Sequence, residues 1–409
     1  MSRNSLSAVT LSVVALLSAS GCSRSEAGGS RPVPTRPATA AAAAAFSPAP
    51  DPTPAPPPAF DPVRAKLLTQ TGRLLAGLPV GDGPLAAVES SAACQDHAKK
   101  IRGLWQQHDK ARLEKVRLWA KEHLTEPGPA PRSLFYPFAG PDGLYPLAFF
   151  PSASRYVLVG LEPVGAVPDV ASRPEAELAS DLSEMEKYVR PILQISFFRT
   201  NEMKKDLAEE GVLPILMVFL AGTGHEILDV GYVTVGPGGS LENVPAGDES
   251  KRRGARILFR ALGEEATREL LYFSQDLSDT GLKKRPELTA WLASLEKPAT
   301  FLKAASYLMY KPTFSTVRGV ILDHSSLVLQ DDSGIPYRFF EKDRWQSRLF
   351  GSYRKPIRLF EERFQPDLVE AFAGPPPAEP LPFGIGYRHQ EKDSNLMVAR
   401  RVGAQAARS

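Results

Sequence analysis

The sequence predicts an α+β fold with a mixed, largely antiparallel sheet flanked by helices. Two observations lead to this prediction. Segments of strand-like composition come in neighbouring pairs, and helical patterns are grouped between those pairs. A strict alternation of strand and helix, which would indicate an all-parallel sheet, is missing. The chain has 409 residues, of which 43% are hydrophobic, so it is long enough to bury one large core.

The N-terminal residues are not expected to belong to the fold. Residues 1–21 combine Arg3 with the apolar run 9–17, which is typical of a signal peptide and too short to span a bilayer. Small residues then precede a cysteine, in the order Ser18-Ala19-Ser20-Gly21-Cys22. This order resembles the lipobox of bacterial lipoproteins, whose cysteine is acylated and becomes the new N-terminus. The resemblance implies lipid attachment at Cys22, with palmitate among the acyl groups; an ordinary secretory signal with an incidental cysteine is the alternative.

The same resemblance implies where the protein is held. Ser23 follows the cysteine, which implies the outer membrane of a bacterial envelope, facing the periplasm. The expected partners are the membrane, reached through the N-terminal lipid, and a protein of the envelope. With Cys22 acylated, only Cys94 is left, so no intramolecular disulfide is expected and Cys94 is predicted to be a buried or half-buried helix thiol.

Composition divides the rest of the chain into four parts. Residues 22–60 are rich in Pro and Ala and are predicted to be a disordered tether. Residues 61–126 carry two helical patterns, one ending near Gly77 and a longer one reaching Leu124. Such a segment is too small for an independent core, so we expect it to pack on a main domain of residues 132–390. A frayed tail, residues 391–409, is predicted to follow.

The main domain is predicted to open with a short edge segment, Phe135–Phe138, because a central strand would not tolerate Pro137. The turn Ala139–Gly143 follows it. Buried or alternating runs then predict strands at 156–161, 212–220, 227–235, 256–261 and 268–274. Helical patterns are assigned to residues 174–210, with a break or kink at Pro191, and to 286–295, 299–309 and 315–324. Strand-like runs at 327–330 and 337–340 predict a hairpin.

The turn of that hairpin contains the most conspicuous pair of acids, Asp331 and Asp332. Paired carboxylates can separate their pKa values for acid–base chemistry or hold a cation. Asp, Ser and Gly are also the residues that a hairpin turn requires, so a purely structural role is the alternative. Asp142 lies in a Gly-Pro-Asp-Gly turn and has the same two interpretations, with Tyr136 beside it as a candidate ligand contact.

Other motifs give little support for specific chemistry. His225-Glu226 begins an incomplete zinc-protease motif in which Asp229 replaces the second histidine, so a strand start is expected and no metal site. Asp276 and Asp279 follow a strand and are interpreted as turn or helix caps, with a place in a cleft as the alternative. The net charge of +3 and the absence of aromatics within the basic run 251–256 argue against nucleic acid. The chain has no phosphate loop, dinucleotide fingerprint or nucleophile elbow, so no cofactor is expected.

Four segments of the main domain resemble those of a group of uncharacterised exported bacterial proteins. They are FYPFAGPD, YVLVGLEPVG, LQDDSGIPYRFF and PFGIGY, and the resemblance covers roughly residues 134–390. It implies no activity. The sequence therefore favours a lipid-anchored envelope protein with a binding or structural role. An envelope hydrolase that uses the carboxylates of the turns at 142, 276 and 331 is the alternative, and whether the chain is an enzyme stays open.

Overall fold

The computed structural model describes residues 60–125, 132–197, 211–245, 248, 253–390, 392 and 394–402. The predicted signal peptide, the tether and the acylation site at Cys22 lie outside the described residues. The described residues all belong to one compact unit, so the helical segment and the main domain belong together. The predicted α+β class with a mixed sheet is confirmed.

The centre of the molecule is one sheet of ten strands. Their order across the sheet is β4-β3-β5-β6-β2-β1-β7-β8-β10-β9. The bounds are β1 Ser133–Tyr136, β2 Arg155–Gly160, β3 His225–Val235, β4 Leu241–Asn243, β5 Gly254–Ala261, β6 Arg268–Ser274, β7 Ala299–Leu302, β8 Leu327–Gln330, β9 Trp345–Gly351 and β10 Asn395–Arg401.

The two ends of this sheet are antiparallel and its centre is parallel. Strands β4, β3, β5 and β6 pair antiparallel at one end, and β8, β10 and β9 do so at the other. Between them, β6, β2, β1, β7 and β8 all run in the same direction. The chain builds outward from β1, first to β2 on one side and later to β7 on the other, so the direction of winding reverses beside β1.

Helices cover both faces of the sheet. Their bounds are α1 Pro62–Leu75, α2 Ala86–Glu89, α3 Ala92–His108, α4 Glu114–His123, α5 Leu144–Phe149, α6 Glu175–Ile195, α7 Leu213–Gly222, α8 Asp279–Lys283, α9 Pro286–Ala293, α10 Ser315–His324 and α11 Pro366–Ala373. A π-helical turn, Asp109–Leu113, joins α3 to α4. One face packs on the N-terminal helices with α6 and α7, and the other on α8, α9 and α10. No helix in the described ranges is both long and apolar enough to cross a membrane.

Side chains alternate along the central strands, so each strand contributes to a hydrophobic core on both faces of the sheet. Leu134 and Tyr136 point to the face covered by α6 and α7, and Phe135, between them, points to the face covered by α8, α9 and α10. The prediction of an edge segment here was wrong, because β1 ends at Tyr136 and Pro137 falls just outside the hydrogen-bonded ladder. The strand is therefore free to lie in the middle of the sheet.

The predicted strand at 212–220 is also wrong, since these residues form helix α7. Residues Leu213–Ala221 are all buried, so the apolar run has no solvent-facing side and shows no helical period. Pro214 lies in the first turn, where its missing N–H costs the helix nothing.

Three further predictions are corrected near the C-terminal end. The helix expected at 299–309 is instead the buried strand β7 followed by an irregular turn. The hairpin at 327–340 does not form, because 337–339 is a 3-10 turn and β8 pairs with β7 and β10. The tail expected to fray contains β10, an interior strand paired on both sides.

Candidate functional site

The parallel strands bring their carboxyl ends to one edge of the sheet. Tyr136 ends β1, and Leu161 follows β2. Gln275 follows β6, Lys303 follows β7 and Asp331 follows β8. Ligands of open parallel sheets bind at this edge, near the point where the winding reverses.

A cleft opens at this edge, and we call it the carboxyl-edge cleft. Its polar lining includes Tyr136, Asp142, Glu162, Gln275, Asp276 and Lys303. Its apolar lining includes Phe138, Leu161, Leu277 and Phe314. The space between the lining atoms is about 790 Å³, part of it open to solvent.

The floor of the cleft carries a buried ion pair. Lys303 Nζ lies 2.6 Å from Asp142 Oδ2, and both side chains are 2% exposed. Lys303 also donates to the carbonyl of Ser196 and lies 3.8 Å from the centre of the Tyr145 ring. Burial lowers the pKa of Lys303, and the charge of Asp142 opposes that shift.

Asp142 is positioned by its own turn and by β1. Tyr136 donates its hydroxyl to Asp142 Oδ2 at 2.9 Å, and the backbone N–H of Tyr145 donates to Oδ1 at 3.2 Å. Burial and the neighbouring carboxylate raise the pKa of Tyr136 well above its ordinary value, so this phenol acts as a hydrogen-bond donor. The predicted pair Tyr136 and Asp142 thus meets in the cleft.

A second carboxylate enters the cleft from the end of β2. Glu162 is 3% exposed, and its Oε2 accepts from the N–H of Leu161 at 3.0 Å. Tyr272 donates to the Glu162 carbonyl at 2.9 Å. A Cβ at Gly160 would lie 2.6 Å from Glu162 Oε2, so only glycine leaves room for this carboxylate.

The backbone around the cleft is strained. Phe138, Ala304, Ser306 and Tyr307 have φ angles of 60°, 51°, 53° and 51°, in the left-handed region that favours glycine. The first three of these residues line the cleft. Strain of this kind costs on the order of 1–3 kcal/mol per residue and is concentrated at functional sites.

Comparison with family models, with curated proteins and with solved structures gives no match for this chain.

The predicted pair Asp331 and Asp332 lies beside the cleft and not on its lining. Asp331 accepts from the N–H of Ala304 at 2.8 Å and from the N–H of Ser333 at 3.0 Å. Burial and the adjacent Asp332 raise the pKa of Asp331 to about 6. The charge of Asp331 nevertheless contributes to raising the pKa values of Lys303 and Tyr136.

Asp332 is locked in a separate polar network. Its carboxylate accepts from the Tyr307 hydroxyl and, at 3.0 Å, from Nδ2 of Asn395. Its carbonyl accepts from Gln365 Nε2 at 3.2 Å. Burial raises the pKa of Asp332 as well. These contacts fix the position of β10 against the end of β8, which is a structural role.

The remaining candidates have local roles. His225 begins β3 as expected, and burial lowers its pKa to about 4. Asp279 caps α10 through the N–H of Thr316 at 2.8 Å, whereas Asp276 binds Ser278 and lines the cleft. Cys94 is buried on α3. Within the described ranges, no group of three His, Cys, Asp or Glu side chains could hold a metal ion.

Two charged residues of the cleft were not predicted from the sequence. Lys303 lies in the segment 299–309, for which a helix was expected, and Glu162 directly follows the strand predicted at 156–161. The signal for Glu162 was present, because an acid that directly follows a buried parallel strand lies at the carboxyl edge. The position of Lys303 at this edge could be predicted only if residues 299–302 were recognised as strand β7, because Lys303 directly follows that strand.

Proposed function

We propose that this chain is a lipid-anchored envelope protein whose folded unit binds a small organic molecule in the carboxyl-edge cleft. The observation that carries the proposal is the buried pair Lys303–Asp142 on the floor of the cleft. Keeping two charges out of water is costly, and a fold that needed only stability could fill this volume with apolar side chains. Charges retained at the carboxyl edge of parallel strands therefore indicate a polar ligand.

The anchoring part of the proposal is supported by the N-terminal sequence. Cys22 would carry the lipid on the periplasmic side of the envelope, and the outer membrane is the expected one. A Pro- and Ala-rich tether between Cys22 and the folded unit would hold the cleft away from the membrane surface.

The hydrolase alternative has two observations in its favour. Asp142 reaches the cleft, and the raised pKa of Asp331, about 6, lies in the range of a general acid. Both oxygens of Asp331 are, however, hydrogen-bonded to the protein. Binding is therefore the first candidate. Conversion of a bound ligand by the wild type, lost in Asp142→Asn, would establish the hydrolase.

The binding proposal is tested by blocking the cleft. Leu161 lines its mouth and is 49% exposed, so Leu161→Trp should narrow the cleft without disturbing the core. Leu118→Trp is the matched control, because Leu118 is 64% exposed on α4, away from the cleft. A panel of sugars, nucleosides, amino acids and short peptides is scored by the rise in melting temperature.

A ligand of the cleft should stabilise the wild type and Leu118→Trp but not Leu161→Trp. Equal stabilisation of all three proteins would place the ligand elsewhere and contradict the proposal. So would a panel in which no compound stabilises the wild type.

A further inference from the structure

We propose that the ligand of the carboxyl-edge cleft is a nucleoside without a phosphate group, and that Glu162 binds the hydroxyls of its ribose. This inference rests on the proposed ligand-binding function and adds the chemical class. Three observations support it: the free acceptor on Glu162, the apolar wall beside it, and the loop after β1, whose backbone N–H groups are mostly bonded within the protein.

Glu162 presents an acceptor that the protein does not use. In the part of the chain that the structure describes, only Oε2 of its carboxylate receives hydrogen bonds, from Leu161 and, at 3.5 Å, from Tyr272. The carboxylate is held in place on this side, and Gly160 leaves it room. Oε1 is left for the cleft. A carboxylate is acceptor-only, so the matching ligand group is a donor.

The position of Glu162 points to a diol as that donor. In doubly wound folds, an acid about 20 residues after the glycine turn of the first strand binds the ribose hydroxyls. Glu162 follows β2, roughly 20 residues after Gly140 in the turn after β1. Gly140 has a φ of 54°, and a Cβ there would lie 3.6 Å from Glu162 Oε2. The positive φ favours glycine at 140, and the close approach of Glu162 requires glycine at 160, so both glycines help to place the carboxylate at this edge.

The apolar wall favours a nucleoside over a free sugar. The apolar wall of the cleft is formed by residues that follow the neighbouring strands β6, β2 and β1, namely Leu277, Leu161 and Phe138. The rings of Phe138 and Phe314 meet edge-on, with their centres 5.8 Å apart. A planar base would cover these side chains. Ribose alone would leave them in water and lose the hydrophobic contribution.

Most backbone N–H groups of the loop after β1 are already bonded within the protein and are not available to a phosphate. The N–H groups of Ala139, Asp142 and Gly143 donate to backbone carbonyls of the protein, and Pro141 has none. The carboxylate of Asp142 accepts from the first turn of α5, in the place where a phosphate would sit. Asp142, Glu162 and Asp276 also outnumber Lys303 on the cleft lining. A neutral or cationic nucleoside fits this charge, and a nucleotide does not.

The test uses isothermal titration of the full chain carrying Cys22→Ser, with adenosine, guanosine, uridine and cytidine as probes. The tightest binder is then compared with its 2′-deoxy form, its 5′-monophosphate and free ribose. Loss of a hydrogen bond to a charged group should weaken the 2′-deoxy form about 10- to 100-fold. The monophosphate and ribose should each bind at least about tenfold more weakly.

Glu162→Gln and Glu162→Asp assign the contact to this residue. Both should bind the nucleoside about 10- to 100-fold more weakly, and both should lose less affinity for the 2′-deoxy form, which has already lost one of the two hydroxyls. A melting temperature near that of the wild type shows that each variant is folded. Glu162→Asp keeps the negative charge, so it serves as the test if Glu162→Gln does not fold.

The outcomes separate this inference from the binding proposal. Equal affinity for the nucleoside and its 2′-deoxy form would overturn the diol contact, and tighter binding of the monophosphate would overturn the exclusion of phosphate. Equal binding of ribose would assign the cleft to a sugar. If another compound binds in a Leu161→Trp-sensitive way and no nucleoside does, the inference fails and the binding proposal stands.

Discussion

Lys303 and Asp142 are buried together, and neither could be buried alone at comparable cost. Only Asp142 and Tyr136 were predicted from the sequence, because turn chemistry and a nearby aromatic are local signals. Lys303 comes from a strand far along the chain, and its partner could not be known before the strand order was known. Charged residues with such remote partners are the part of a site that local patterns leave out.

Replacing Lys303 with Met should destabilise the fold strongly. The change leaves Asp142 buried without its counter-charge, and breaking one member of a buried pair costs about 3–5 kcal/mol. Urea unfolding of the Cys22→Ser chain measures this loss. Adding Asp142→Asn to Lys303→Met should recover part of it, because no unpaired charge then remains. A double variant less stable than Lys303→Met would contradict this account.

Asp331 should make stability depend on pH. Its folded pKa, about 6, is above the ordinary value of 3.8 for an aspartate, so the folded state binds the proton more tightly than the unfolded chain. The contribution of Asp331 to the free energy of unfolding therefore rises as pH falls from about 7 to 4, by on the order of 2–3 kcal/mol. The buried His225, whose folded pKa is about 4, acts in the opposite direction.

The comparison with Asp331→Asn isolates the Asp331 contribution. The difference in unfolding free energy, wild type minus Asp331→Asn, should grow as pH is lowered through that window. Urea titrations at several pH values measure it. A difference that is constant with pH would show that Asp331 ionises in the folded protein as it does in the unfolded chain.

At the scale of elements, the sequence was sufficient for amphipathic helices and for several strands, including the buried β2. Helix α10 and strands β2, β5 and β6 were predicted close to their bounds, α6 begins where expected, and one predicted helix covers α3, the π-helical turn and α4. Two of the errors concern elements buried on all sides. In α7 the apolar run has no polar face to reveal its period, and in β7 four buried residues precede a strained turn that resembles helix composition. Such elements are specified by their neighbours more than by their own residues.

Strand β10 provides an element-scale prediction. A chain that stops at residue 393 loses both ladders of β10 and the contact of Asn395 with Asp332, and it should fail to fold. A chain that stops at Val402 keeps every described residue and should unfold cooperatively at the wild-type temperature. Circular dichroism melting distinguishes them. A cooperative transition in the shorter chain would mean that β10 is dispensable.

At the scale of the whole molecule, the decisive prediction concerns attachment. Cys22→Ser should move the protein from the membrane fraction to the soluble periplasm, because the lipid is the expected anchor. Cys94→Ser is the matched control and should stay with the membrane, since Cys94 is buried in the folded unit. Fractionation and labelled palmitate report the result. Incorporation of palmitate into Cys22→Ser would show that the N-terminus was wrongly assigned.

The reversal of winding beside β1 also has a consequence for how the chain folds. Strand β1 meets β2 soon after synthesis, but its other neighbour, β7, begins only at Ala299. Until then one side of the future central strand exposes unpaired N–H and C=O groups and apolar side chains. Strand pairings between residues this far apart in sequence form slowly, and the intermediates that precede them are prone to aggregation. We therefore expect a chaperone that shields this edge to raise the yield of folded protein.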